Sequence, residues 1–144
     1  MIIGTGIDAV NLDRFADIIK RTPTFLERVF VEHERSKSLP SLAARFAAKE
    51  AIAKALRAPA GMVWQDCWIE NKADGEPYVV VTGTVAERAS SLGINRWHLT
   101  ITHDEPVAIA SVIAEHLSQQ ELQLLHDIDP EGASRHRRQE GAKE

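Results

Sequence analysis

Apolar and polar positions alternate, then cycle with helical spacing, then alternate again along this chain. The opening MIIGTGIDAV is rich in Ile and Val and reads as a strand. Helical patterns follow in LDRFADIIKR and in PTFLERVF, the second opened by Pro23. VEHERSKSLPS is a polar connection, and Ser41 then precedes a long helix that runs to about Arg57, where APAG stops it. QDCWIENK and PYVVVTG read as a hairpin about the turn ADGE, and TVAERASSLG as a short helix closed by Gly93. WHLTITH and VAIASVIAEH form a last strand pair about the turn DEP. The order strand, helices, hairpin, helix, hairpin points to an α+β fold and not to a doubly wound sheet. After about Leu117 the pattern decays. The expected division is a domain over 1–117 and an extension over 118–144, in which SQQELQLLHDI continues as a helix. DPEGASRHRRQEGAKE has no apolar face and is expected to be disordered.

One stretch breaks the pattern. Along the helix that holds RFAAKEAIAKAL, Leu42, Phe46, Ile52 and Leu56 share a stripe, yet Arg45 and Lys49 project from the middle of it. Glu50, Lys54 and Arg57 make a second charged strip. Glu50 and Lys54 alone would pass for a surface pair four residues apart. Two cations in one apolar stripe suggest instead that a polyanion or a partner subunit meets the helix there.

Composition narrows the classes. A chain of 144 residues, 44% hydrophobic and 26% charged, is expected to be one soluble domain with its own core. A net charge of −4 argues against nucleic acid as the main partner, leaving only the basic SRHRR near the C-terminus as a local exception. No apolar run reaches the roughly 20 residues that span a bilayer. MIIGTGID carries no basic leader, so a cytoplasmic protein without membrane attachment is expected. The single Cys67 excludes a disulfide framework or a multi-cysteine zinc site and reads as a small buried apolar residue.

Candidate chemistry gathers in three places. In GTGID, Gly4, Gly6 and Asp8 point to one side of a strand, leaving bare backbone beside a carboxylate for another element or a ligand. Gly4-x-Gly6-x-x-Ala9 matches a dinucleotide fingerprint in spelling, but only three residues precede it and no βαβ unit follows. KEAIAK supplies Glu50 and Lys54. In LTITHDEP, Leu99, Ile101 and His103 share one strand face, with Thr100, Thr102 and Asp104 on the other. A serine hydrolase is excluded, since no serine has the flanking glycines of a nucleophile elbow. Two carboxylates, several cations, a histidine and hydroxyls suit Mg²⁺ and phosphates, and so phosphoryl or phosphodiester transfer.

GTGID, RFAAKEAIAKAL, DGEPYVVVTG and TITHD occur in the order and approximate spacing of holo-acyl-carrier-protein synthase, the small bacterial type of 4′-phosphopantetheinyl transferase, which the chain resembles over about residues 1 to 117. The resemblance implies that family's α+β fold, a small antiparallel sheet with a long packed helix, assembled as a homotrimer with coenzyme A between subunits. It implies a fatty acid biosynthesis enzyme, which transfers phosphopantetheine from coenzyme A to a serine of an apo acyl carrier protein or of a carrier domain in a fatty acid synthase. The other product is 3′,5′-ADP. Carried over residue by residue, Asp8 and Glu50 are expected to ligate Mg²⁺ and Lys54 to meet the reacting diphosphate. His103 with Thr102 is expected on phosphate, Arg45 on the nucleotide phosphates and Lys49 nearby. Arg14 and Arg28 are expected to dock the acidic carrier, with Arg21 between them. The chain departs from the family in having Thr100 and Thr102 where serine is common and Arg57 where glycine is common. The alternative is a non-catalytic nucleotide- or carrier-binding module of the same fold.

Overall fold

The first strand, β1 (Ile2–Asn11), lies directly against the longest helix, α3 (Leu39–Leu56), because two of its inward positions carry no side chain. A Cβ on Gly4 would stand 2.0 Å from the Ala55 carbonyl oxygen, and one on Gly6 1.9 Å from that of Ala51. Alanines 47, 48, 51 and 55 are buried on the helix side of the same contact. The computed structural model describes residues 1–130, and every other element is arranged around this pair.

Between β1 and α3 run α1 (Leu12–Arg21), capped by the Asn11 side chain, and α2 (Phe25–Val29). Phe15, Phe25, Phe30 and Phe46 pack ring against ring, with Phe15 stacked 5.7 Å from Phe46, and so fasten α1 and α2 to α3. After α3 come the hairpin β2 (Cys67–Asn71) and β3 (Pro77–Val81), then α4 (Gly83–Ser91), and then the strand pair β4 (Arg96–Asp104) and β5 (Val107–Glu115). The main sheet is antiparallel in the order β1–β5–β4, and β2–β3 forms a separate two-stranded sheet. The α+β architecture expected from the element order is the one observed.

The even-numbered residues of β1 and β5 face α3, and Ala108, Ala110, Val112 and Ala114 are buried there. The other face of this sheet is open: Ile7 is 62% exposed and Ile109 37%. A further helix, α5 (Gln119–Ile128), follows β5, its first turn closed by reciprocal bonds between Ser118 and Glu121. Among the described residues no helix is long and apolar enough to cross a membrane. The basic SRHRR stretch and the expected disorder around it lie outside the described residues.

Two boundaries differ from the sequence expectation. The long helix begins at Leu39, ahead of Ser41, because Ser38 is its cap and Pro40 sits in the first turn, where a missing N–H costs nothing. The second helix begins at Phe25 and not at Pro23, with Thr24 in front of it.

Candidate functional site

Asp8 stands two residues beyond Gly6 on the inward face of β1, so the close approach of α3 brings helix side chains onto it. Glu50 and Lys54, one helical turn apart, are those side chains. The Lys54 Nζ donates to Asp8 Oδ1 at 3.0 Å and to the Ile7 carbonyl at 2.8 Å. Half of the Lys54 side chain and a fifth of the Asp8 side chain remain exposed, so the group opens to solvent. Glu50 is half-buried. Burial raises its carboxyl above the ordinary carboxylate range, the Asp8 charge adds to that rise, and Lys54 opposes it. Two carboxylates sharing one ammonium remain in excess of negative charge, with oxygen donors free on both. This donor set matches a hard divalent cation that keeps part of its shell for substrate oxygens and water.

His103 and Thr102 are not in contact with this group within one chain. Asp8 is opposite Ala110, Ala110 is opposite Ile101, and His103 lies two residues further along β4. That is two strand spacings, roughly 10 Å, across the sheet as well as along it. His103 faces the α3 side but is exposed at the strand end, whereas Thr102 alternates onto the open face. Arg14 on α1 and Arg28 on α2 are exposed, as is Arg21 where α1 ends.

Arg45 and Lys49 are both buried side chains of α3. Lys49 is wholly buried, with Nζ 2.9 Å from Glu34 Oε1, 2.9 Å from the Val29 carbonyl and 2.6 Å from the Cys67 carbonyl. Arg45 donates to Ser41 and to Asn71 Oδ1, and its Nε lies 3.9 Å from Glu34 Oε2. Burial draws the Arg45 guanidinium below its ordinary value while Glu34 pushes it back up. The two cations in the apolar stripe thus share one carboxylate from inside the chain, Glu34. Glu34 escaped sequence reading because it sits inside a stretch, VEHERSKSLPS, that reads as polar connection. Its only trace was Lys49, a cation in a core position that demanded a counter-charge. Cys67 is buried as expected, its thiol pushed up to about 11 chiefly by desolvation.

Comparison with known proteins bears on the same residues. The family model of the 4′-phosphopantetheinyl transferase superfamily matches residues 4–110, a segment that holds all of the side chains above. The chain is 56% identical to a holo-[acyl-carrier-protein] synthase of Renibacterium salmoninarum over 115 residues, covering 80% of this chain and 99% of the relative. It is 53% identical to the enzyme of that name from Kocuria rhizophila, again over 115 residues, covering 80% of this chain and 94% of the relative. Among solved structures, the Helicobacter pylori holo-[acyl-carrier-protein] synthase in complex with coenzyme A superposes with a TM-score of 0.68 at 30% identity, covering 77% of this chain and 99% of that one.

Proposed function

The chain belongs to the 4′-phosphopantetheinyl transferase superfamily, as a holo-[acyl-carrier-protein] synthase that moves 4′-phosphopantetheine from coenzyme A to apo acyl carrier protein, and from that premise we propose how its residues divide the reaction. The observation that carries the reading is the convergence of Asp8, Glu50 and Lys54 at one solvent-open point.

Asp8 and Glu50 are the residues that would hold Mg²⁺. Bound there, the ion supplies a Lewis acid for the oxygens of the coenzyme A diphosphate. Lys54, already poised on Asp8 with half its side chain in solvent, exchanges that partner for a phosphate oxygen as substrate enters. A carrier serine oxygen then forms the new bond to phosphorus as the bond to 3′,5′-ADP breaks. Such a step depends on alignment and charge neutralisation more than on covalent help. A module that only bound nucleotide would have no use for two carboxylates facing one ammonium.

His103 and Thr102 complete the site from a neighbouring subunit in this reading. Two observations support a homotrimer: these residues lie two strands from Asp8 in their own chain, and the open sheet face exposes Ile7 and Ile109. Arg14 and Arg28 receive the acidic carrier. Arg45 and Lys49 are left out of the substrate site, since the Lys49 ammonium is committed to Glu34 and backbone carbonyls and the terminal nitrogens of Arg45 to Ser41 and Asn71. A cytoplasmic setting and a role in fatty acid biosynthesis belong to the same proposal.

The test is direct: mix coenzyme A, Mg²⁺, an apo acyl carrier protein and the enzyme, and weigh the carrier by mass spectrometry. A phosphopantetheine adduct that needs Mg²⁺ and is lost in Asp8→Asn is expected. An adduct that forms equally well in chelator, or in Asp8→Asn, would overturn the metal assignment.

A further inference from the structure

Lys49 and Glu34 form the most deeply buried charged pair among the described residues, yet neither reaches the reaction site. A buried pair of this kind is poor at adding stability, because desolvating two charges offsets most of their attraction. What this one does add is connection. The Lys49 ammonium donates to the Val29 carbonyl, at the end of α2, and to the Cys67 carbonyl, at the start of β2. Its charge is balanced by Glu34 Oε1, and Glu34 in turn accepts from the backbone N–H groups of Val31 at 3.3 Å and Ile69 at 3.4 Å. One ammonium and one carboxylate thereby hold together α2, the turn after it, α3 and the β2–β3 hairpin.

The two ends of the Lys49 to Val29 bond have telling neighbours. Lys49 adjoins Glu50 on α3, and Val29 adjoins Arg28 on α2. A single charge-assisted hydrogen bond of 2.9 Å thus joins the residue beside a metal-binding carboxylate to the residue beside a docking cation. We propose that Lys49, charge-balanced by Glu34, is a positioning residue for carrier attack: it fixes the distance between the carrier-docking face of α2 and the Asp8–Glu50 site. This rests on the reading that Arg14 and Arg28 receive the carrier.

The phenylalanine cluster packs α1 and α2 onto α3 through dispersion contacts, which carry little directional preference. The Nζ bond adds a directional tie from α3 to the C-terminal end of α2. A merely structural bolt would be expected to alter melting temperature and the fraction of folded enzyme. A positioning bolt alters how well a docked serine meets phosphorus, and leaves coenzyme A binding as it was.

The experiment compares the full chain with Glu34→Gln/Lys49→Met. Replacing both partners avoids an unpaired buried charge, the main reason Lys49→Met alone would be expected to unfold. Steady-state kinetics are run with coenzyme A and apo carrier varied in turn, at low and high salt, alongside Arg14→Glu and Arg28→Glu. The expected result is a fall of about tenfold in kcat/KM for the carrier, the equivalent of one charge-assisted hydrogen bond. The KM for coenzyme A should be unchanged. The salt dependence of carrier kcat/KM should persist, because the docking charges are still present, whereas in Arg14→Glu it should flatten. An unchanged carrier kcat/KM in the double variant, with Arg28→Glu impaired, overturns the positioning role alone. A raised KM for coenzyme A overturns it too and returns Lys49 to the nucleotide. If neither arginine variant affects the carrier, the docking reading falls and the positioning role with it. Should the double variant fail to fold, Glu34→Asp, which keeps the charge balance but draws the carboxylate back from the Lys49 ammonium, gives the same carrier comparison at saturating coenzyme A.

Discussion

Lys54 reaches from the long helix to Asp8 on the first strand, its ammonium 3.0 Å from Oδ1, while Glu50 one turn earlier faces the same carboxylate. The arrangement is electrostatically incomplete, two acids against one base, and the first expectations follow from that imbalance.

Glu50→Gln should abolish transfer and, without divalent cation, make the protein more stable at neutral pH. Burial and Asp8 raise the Glu50 carboxyl above its ordinary value of 4.5, so the folded chain holds this proton more tightly than the unfolded chain. Stability from this group is therefore fully present below that ordinary value and is lost as pH rises through the folded one. Thermal melts across pH should show the variant ahead at pH 7 and level with the parent near pH 4. A parent as stable as the variant at pH 7 would contradict burial and the Asp8 charge as the source of the effect.

Gly6→Ala should destabilise the fold by about 3 kcal/mol, or roughly 10 °C in Tm, since the new methyl meets backbone that cannot turn aside. The obstacle is the Ala51 carbonyl oxygen, 1.9 Å from the added carbon. Any surviving enzyme should have lost Mg²⁺ affinity, because Asp8 and Glu50 are pushed apart. Calorimetry reads the first effect and metal titration the second.

Arg57 ends α3 in the left-handed conformation, with φ of 46°. That conformation costs a side-chain-bearing residue about 1–2 kcal/mol, against which a cation at a helix C-terminus recovers roughly 0.5 kcal/mol. Arg57→Gly should accordingly gain about 1 kcal/mol, seen as a Tm rise of roughly 3 °C. Arg57→Ala keeps the strain and loses the charge, so it should melt no higher than the parent.

A site shared between subunits has a signature that no single chain can mimic. Asp8→Asn and His103→Ala should each be inactive alone, and activity should return when the two are unfolded together and refolded into mixed trimers. Ile7→Asp, which charges the open sheet face, should yield inactive monomers in light scattering. Two inactive variants that stay inactive on mixing would place His103 in the wrong site.

Much of this was readable in the chain. The element order, both hairpins and the placement of Gly4, Gly6 and Asp8 on one strand face follow from period and turn chemistry, which are local properties. Glu50 and Lys54 are legible for the same reason, being one helical turn apart. Glu34 is not: its burial depends on α2 and the hairpin closing over it, and nothing within four residues of it signals that. Arg45 and Lys49 were visible as misplaced charges, but their counter-charge is 11 and 15 residues away, beyond what periodicity reaches. The start of α3 was displaced because Ser38 and Ser41 are equally good caps by type, and only Pro40 between them decides the choice.

The bare contact between the first strand and the long helix has one more consequence. With glycine on one side and alanine on the other, no branched or aromatic side chain separates the two backbones, so the spacing of Asp8 from Glu50 is inherited from main-chain van der Waals radii. Exchanging Val for Ile or Leu elsewhere in the core would shift many distances by fractions of an ångström, but not this one. The gauge of the proposed metal site is thus set by the hardest dimension available to a polypeptide.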